Sequence, residues 1–122
     1  MKSSLRLSGF TIVELVIVIA VIGILVVVTV FGFGAWRRDV AEREVQSDLN
    51  GVKAAMENAR NFSNGYPSSI PSTFTPSDTV TLRYASGTPA SYCIDARSKV
   101  ITTIVYHIDT TSGDKTIASG GC

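Results

Sequence analysis

One stretch of this chain contains no charged residue, namely the 22 residues from Leu15 to Trp36. At about 1.5 Å per residue, a helix of this length measures roughly 33 Å, which is enough to cross the hydrocarbon core of a membrane. The stretch consists mainly of Val, Ile and Leu. The β-branched Val and Ile are poor helix formers in water, but in lipid the backbone must bond to itself. The sequence therefore predicts a transmembrane helix.

The rest of the chain is polar and small. With 122 residues in total, there is room for one modest domain beside the helix, which argues against a large enzyme or a multidomain protein. The 11 basic and 10 acidic residues nearly cancel, so the charge balance gives no indication of nucleic-acid binding.

The flanks of the apolar stretch predict its orientation. Lys2 and Arg6 precede it and favour a cytoplasmic N-terminus. Arg37 and Arg38 on the far side oppose this charge rule. The nine residues before Phe10 are nevertheless easier to retain inside than the long remainder of the chain. The alternative is a cleaved signal peptide, whose apolar part usually has about 7–15 residues. Only the weak site at residues 32–34 would fit such a cleavage.

Glu14 lies immediately before the charge-free stretch, where a plain membrane anchor has no use for a carboxylate. It either reaches back to the lipid headgroups or needs a cationic partner. No Lys or Arg lies inside the stretch. Cleavage just before Phe10 would create such a cation, because the new α-amino group would lie one helical turn from Glu14 or near the Glu14 of a neighbouring copy.

Residues 9–15 read Gly-Phe-Thr-Ile-Val-Glu-Leu and lead into the apolar stretch. This order resembles the processing motif of type IV pilins and the related pseudopilins. The resemblance implies that a prepilin peptidase cleaves between Gly9 and Phe10 and that the new Phe10 terminus is N-methylated. It also implies that Glu14 is an assembly carboxylate, which neutralises the amino terminus of a neighbouring subunit during polymerisation.

Two features depart from the family pattern. Many members have a basic residue directly before the glycine, whereas this chain has Ser8, and many have a proline in the middle of the apolar helix, whereas this one has only glycines there. The glycines are weak points for a helix because they have the poorest propensity after proline.

Beyond Trp36 the helical pattern continues with charges on one side. The apolar residues then recur at steps of four and three, which predicts an amphipathic helix ending near Asn64-Gly65. This stripe would be covered either by a coiled-coil partner or by a sheet of the same chain. Its members are Val45, Leu49, Val52, Met56 and Ala59.

After a proline-rich loop the period changes to two, which predicts three or four antiparallel strands. The fold class is therefore α+β, with a long N-terminal helix packed on a small antiparallel sheet, as the pilin resemblance also implies. We expect turns at residues 96–99 and 110–114. The apolar strand positions are Val80, Leu82 and Tyr84; Tyr92, Ile94 and Ala96; Val100, Ile104, Tyr106 and Ile108 on the longest strand; and Ile117 on a short last strand.

These patterns divide the chain into three parts: a leader at residues 1–9, a transmembrane and filament-core helix at 10–36, and a head at 37–122. The head consists of an amphipathic helix at 37–63, a loop at 64–78 and a sheet at 79–122.

Cys93 and Cys122 are the only cysteines. Export of the head would place them in an oxidising compartment, where we expect them to form a disulfide. Many type IV pilins close a C-terminal loop in this way. The alternative is two free thiols in a reducing compartment.

No constellation for catalysis or metal binding is evident. His107 is the only histidine and lies on the polar side of a predicted strand, so a solvated side chain is expected. The segment from Asp109 to Asp114 loosely resembles a calcium loop but lacks the EF-hand spacing, which favours an ordinary hairpin turn. We expect neither a cofactor nor an enzymatic activity.

The sequence thus predicts a structural subunit of a type IV pilus-like filament that serves adhesion, motility or DNA uptake. Its expected partners are copies of itself, other pilin subunits, the prepilin peptidase and methyltransferase, the pilus assembly platform protein and the membrane; nucleic acid is not indicated. It would reside in the cytoplasmic membrane before assembly and in an extracellular pilus afterwards. The alternatives are a pseudopilin of a type II secretion or competence apparatus, in a periplasmic or wall-spanning fibre, and a membrane-anchored binding module that does not polymerise.

Overall fold

The computed structural model describes residues 8–122, so most of the predicted leader, including Lys2 and Arg6, lies outside the described residues. One helix, α1 (Ile12–Ser63), is followed by four strands in the order β1-β2-β3-β4. All neighbouring strands are antiparallel. The predicted α+β class is therefore confirmed. The strands are β1 (Val80–Thr88), β2 (Ser91–Ser98), β3 (Val105–Asp109) and β4 (Ile117–Ser119).

The chain divides into two compact units, Met1–Trp36 and Arg37–Cys122. In the first unit, every described residue of α1 is exposed, including all the large apolar side chains. Thr29 carries the only hydroxyl between Leu15 and Trp36, and it donates to the Val26 carbonyl oxygen at 2.8 Å. This part of α1 therefore presents a continuous apolar surface with its polar side chain satisfied. By length and composition, α1 can cross a membrane.

The core of the second unit, the head, forms between one face of α1 and the sheet. Four residues of the predicted stripe, Val45, Leu49, Val52 and Met56, are fully buried. They pack in one cluster with inward-facing strand residues such as Ile94. The stripe is therefore covered by the chain's own sheet. It begins one turn earlier than predicted, at Ala41, and its predicted last member, Ala59, is only half-buried.

Helix α1 ends as the sequence predicts. Asn64 adopts the left-handed conformation, with φ of 57°, and its N–H donates to the Arg60 carbonyl at 2.8 Å. This closes the helix and satisfies one of its last carbonyls. The following Tyr66 N–H donates to Pro89 O at 2.9 Å. The helix end is thereby attached to the turn between β1 and β2.

The connection from α1 to β1 is held against the helix by specific contacts. The Asp48 carboxylate is buried and accepts hydrogen bonds from Ser77 N–H at 2.8 Å and Ser77 Oγ at 2.9 Å. Closer to the helix end, Gly51 leaves space for the ring of Phe74: a Cβ on Gly51 would lie 2.5 Å from Phe74 Cε2. A glycine at position 51 therefore permits a close approach of the connection to the helix.

The third strand is not the longest, contrary to the prediction. Strand β3 has five residues, whereas β1 has nine. Val100 and Ile104 precede β3 and lie in its connection to β2. Ser98 Oγ accepts hydrogen bonds from the N–H groups of Val100 and Ile101, and Ile104 N–H donates to Ile101 O. These local bonds turn the chain after Ser98, so the turn lies at residues 99–104 rather than 96–99.

Candidate functional site

The predicted cleavage junction lies just before the helix. Gly9 and Phe10 precede α1 and are outside any regular element. Phe10 is 92% exposed, and among residues 8–122 no atom beyond the chain neighbours lies within 4 Å of the position that a Cβ on Gly9 would occupy. Within this part of the chain the peptide bond between them is therefore uncovered, as a protease substrate requires.

Glu14 takes part in a reciprocal cap of the helix start. Thr11 N–H donates to Glu14 Oε2 at 2.9 Å, and Glu14 N–H donates to Thr11 Oγ1 at 3.2 Å. This is a capping box, in which two otherwise unpaired N–H groups are satisfied by each other's side chains. The sequence signature of this box is Thr-x-x-Glu before an apolar run.

The cap leaves one carboxylate oxygen available. Glu14 Oε2 is engaged, whereas no hydrogen bond to Oε1 is formed by residues 8–122. Within the same residues, no basic side chain forms an ion pair with Glu14. The carboxylate also lies in the first helical turn, where the helix dipole stabilises a negative charge. The arrangement holds an exposed anion at a fixed position, with one free acceptor, next to the predicted new amino terminus.

In the head, Cys93 and Cys122 form a disulfide, with their Sγ atoms 1.99 Å apart and their Cα atoms 6.1 Å apart. Cys93 lies on β2, on the face opposite the helix-facing Tyr92 and Ile94. The bond therefore holds the last residue of the chain against the outer face of the sheet.

Hydrogen bonds extend this attachment along the tail. Gly120 N–H donates to Val105 O at 2.8 Å, and the Gly120 carbonyl accepts a bond from His107 Nδ1 at 2.9 Å. His107 is half-buried, so the predicted solvated histidine has a structural partner. The C-terminal segment thus lies across β3 before it reaches β2.

Asp95 is a buried carboxylate beneath this tail. It is only 7% exposed although it lies on the outer face of β2. Arg83 Nε donates to Asp95 Oδ1 at 3.2 Å, Arg83 Nη2 contacts Oδ2, and Cys122 N–H lies 3.4 Å from Oδ2. The hydrogen bond from Arg83, followed by its charge, holds the pKa of Asp95 below the ordinary value of 3.8. No sequence signal identified Asp95, because its burial depends on the tail folding back over it.

The segment from Asp109 to Asp114 forms a turn, as the sequence favoured. The Asp109 carboxylate accepts bonds from Thr111 N–H at 2.8 Å and from Thr111 Oγ1 at 2.6 Å. These bonds lower the pKa of Asp109. The Asp109 carboxylate is therefore engaged within the turn itself, by the hydroxyl and the backbone N–H of Thr111. Residues 8–122 contain no group of three or more histidine, cysteine or acidic side chains placed to hold a metal ion.

No protein-family model matches this chain, and no curated protein sequence matches it.

We expect loss of the disulfide to destabilise the head substantially. Cys93 and Cys122 are 29 residues apart, and closing a loop of this size stabilises a protein by about 3–4 kcal/mol on chain-entropy grounds. Replacing both residues by serine should lower the free energy of unfolding by this amount, measured by denaturant titration of the full chain in detergent. Reductant should destabilise the wild-type chain and leave the double-serine variant unchanged. An equal unfolding midpoint for oxidised and reduced wild-type chains would contradict the expectation.

The Asp95–Arg83 pair should make stability depend on pH at the acid end. Because the folded-state pKa of Asp95 lies below 3.8, its contribution is complete above the unfolded-state pKa and is lost as the pH falls through the folded-state value. Asp95→Asn should therefore be less stable than wild type at neutral pH, and the difference should shrink on acidification. Thermal unfolding as a function of pH measures this. Asp78→Asn, which changes an exposed carboxylate, is the control. A difference that does not vary with pH would refute this role.

Proposed function

We propose that this chain is a pilin, the structural subunit of a type IV pilus-like filament. The observation that carries the proposal is the position of Glu14, a carboxylate in the first turn of a helix whose next 22 residues carry no charge. Capping the helix does not require this charge, since glutamine completes the same box. The charge acquires a role when it pairs with the amino terminus of another copy.

The exposed apolar surface of the first unit supports polymerisation. Its side chains, from Ile12 to Trp36, are exposed on every side of α1. Such a surface is stable in lipid, and it is equally stable against the same surface of other copies. The membrane therefore holds the subunit before assembly, and the filament core replaces the lipid contacts afterwards.

The geometry at the helix start supports an intermolecular role for Glu14. The capping box fixes the side chain and uses Oε2, which leaves Oε1 to accept a bond from a cation. After cleavage between Gly9 and Phe10, the α-amino group of a neighbouring Phe10 is such a cation. In an apolar filament core, an unpaired carboxylate costs several kcal/mol, so the pair sets the axial register of the subunits.

The head fits the same assignment. A disulfide that fastens the last residue to the sheet is typical of a domain in an oxidising compartment outside the cytoplasm. The prepilin peptidase, its methyltransferase activity and the pilus assembly platform are the partners that this function requires. Other pilin subunits complete the filament, which is extracellular after assembly.

The capping box permits a sharp test of Glu14. Glutamine at this position still completes a capping box but carries no charge. If Glu14 acts by pairing with an amine, then Glu14→Gln and Glu14→Ala should both abolish filaments, as seen by electron microscopy of material sheared from cells. Thr11→Ser, which keeps the capping hydroxyl and the charge, is the matched control and should assemble normally. Normal filaments from Glu14→Gln would mean that Glu14 only caps its own helix and does not pair with an amine.

The processing step is tested separately by the mass of the mature chain. We expect an N-terminus at Phe10 that carries one methyl group, measured by mass spectrometry of the purified subunit. Gly9→Val, which places a bulky residue before the cleaved bond, should leave the leader attached. A mature chain that begins at any other residue would refute the processing motif.

A further inference from the structure

A basic groove lies on the outer face of the sheet, where β1 begins and β2 ends. It has a volume of about 340 Å³ and is lined by Thr81, Arg83, Asp95 and Arg97. The register places Thr81 opposite Arg97 and Arg83 opposite Asp95. Two arginines, one threonine and one carboxylate therefore line the groove.

The carboxylate in this groove neutralises only one of the two arginines. Both Asp95 oxygens are engaged by Arg83, and Oδ2 also accepts the Cys122 N–H. Arg97 forms no ion pair within residues 8–122. The groove consequently keeps one positive charge, next to the Thr81 hydroxyl, and is suited to bind a carboxylate.

An unpaired carboxylate lies in the connection between β3 and β4. Asp114 is exposed and forms no ion pair within the described part of the chain. The neighbouring Lys115 is already paired, because its Nζ lies 2.7 Å from Glu57 Oε1. Gly113 precedes Asp114 with φ of 80° and with open space around its Cα. The loop therefore holds the Asp114 carboxylate in solvent.

These two charges lie at opposite ends of the sheet. Arg97 pairs with Val105 at the start of β3, whereas Cys93 pairs with Asp109 at its end, just before the loop that carries Asp114. The two pairs are four residue steps apart along the strand, which is about 14 Å. A groove at one end and its complement at the other cannot satisfy each other within one head, but they can do so between two heads.

We propose that Asp114 of one copy binds the Arg97 groove of the next copy. The Asp114 carboxylate accepts bonds from the Arg97 guanidinium and the Thr81 hydroxyl. Because the two surfaces differ, the contact is heterologous, and repetition of a heterologous contact generates an open chain of subunits when the rotation does not close. The inference rests on the proposed filament and names a contact that its heads make.

Charge reversal at each side tests this contact in the full chain. Arg97→Glu and Asp114→Arg each place like charges together, which should raise the protein concentration needed for filament growth about tenfold. The double variant Arg97→Glu/Asp114→Arg restores an opposite-charge pair at every contact and should assemble like wild type. Asp78→Arg, which changes an exposed carboxylate outside the groove, is the matched control. Filament amount is measured by sedimentation and electron microscopy.

Each outcome has a defined meaning. Impaired single variants with a rescued double variant support the contact. If the single variants assemble normally, the contact is refuted. It is also refuted if Arg97→Glu impairs assembly and the double variant is not rescued, a result meaning that the groove takes an anion from another source. Unfolding of each purified variant in detergent separates a folding defect from an assembly defect. If the wild-type chain forms no filaments, the proposed function itself fails.

Discussion

Most of what this chain can do depends on one constraint, which is the need to keep the apolar surface of α1 away from water. From Ile12 to Trp36 this surface is exposed on all sides. At about 25 cal/mol for each Å² of apolar area, its transfer from water to lipid is strongly favourable. The head covers its own helical stripe with its own sheet. The first unit has no such cover within the described residues, and by length and composition its helix can cross a membrane, whose lipid would cover it.

The head, in contrast, is a small domain that must be stabilised by its own contacts. Its core is one layer of side chains between α1 and the sheet. Polar contacts fasten the segments that would otherwise leave this core: Asp48 holds Ser77 in the connection to β1, and the disulfide at Cys93 holds the C-terminal tail. These contacts and the cystine restrict the segments that pure hydrophobic packing would leave free.

Local signals in the sequence predicted the parts of the structure that depend on local physics. The spacing of Val45, Leu49 and their neighbours fixed the buried face of α1, and the left-handed preference of asparagine fixed its end at Asn64. The prediction failed in two places for different reasons. Asp95 is buried because Arg83 and the C-terminal tail contact it, and such contacts between distant segments leave no pattern in the nearby residues. Strand β3 is short because Ser98 Oγ turns the chain through local bonds to Val100 and Ile101, a signal that the apolar alternation does not contain.

Under the proposed function, Glu14 acts at two different stages. Within one chain, its carboxylate and Thr11 close a capping box, an interaction of about 0.5–2 kcal/mol that helps to start the helix. Between chains, the same carboxylate would have to be neutralised before it enters an apolar core, where leaving a charge unpaired costs about 3–5 kcal/mol. Because the cap occupies only one oxygen, pairing does not require the cap to break. In the proposed filament the second interaction is the stronger constraint, and it acts only when another amino terminus is present. The charge would then be a condition on assembly rather than on folding.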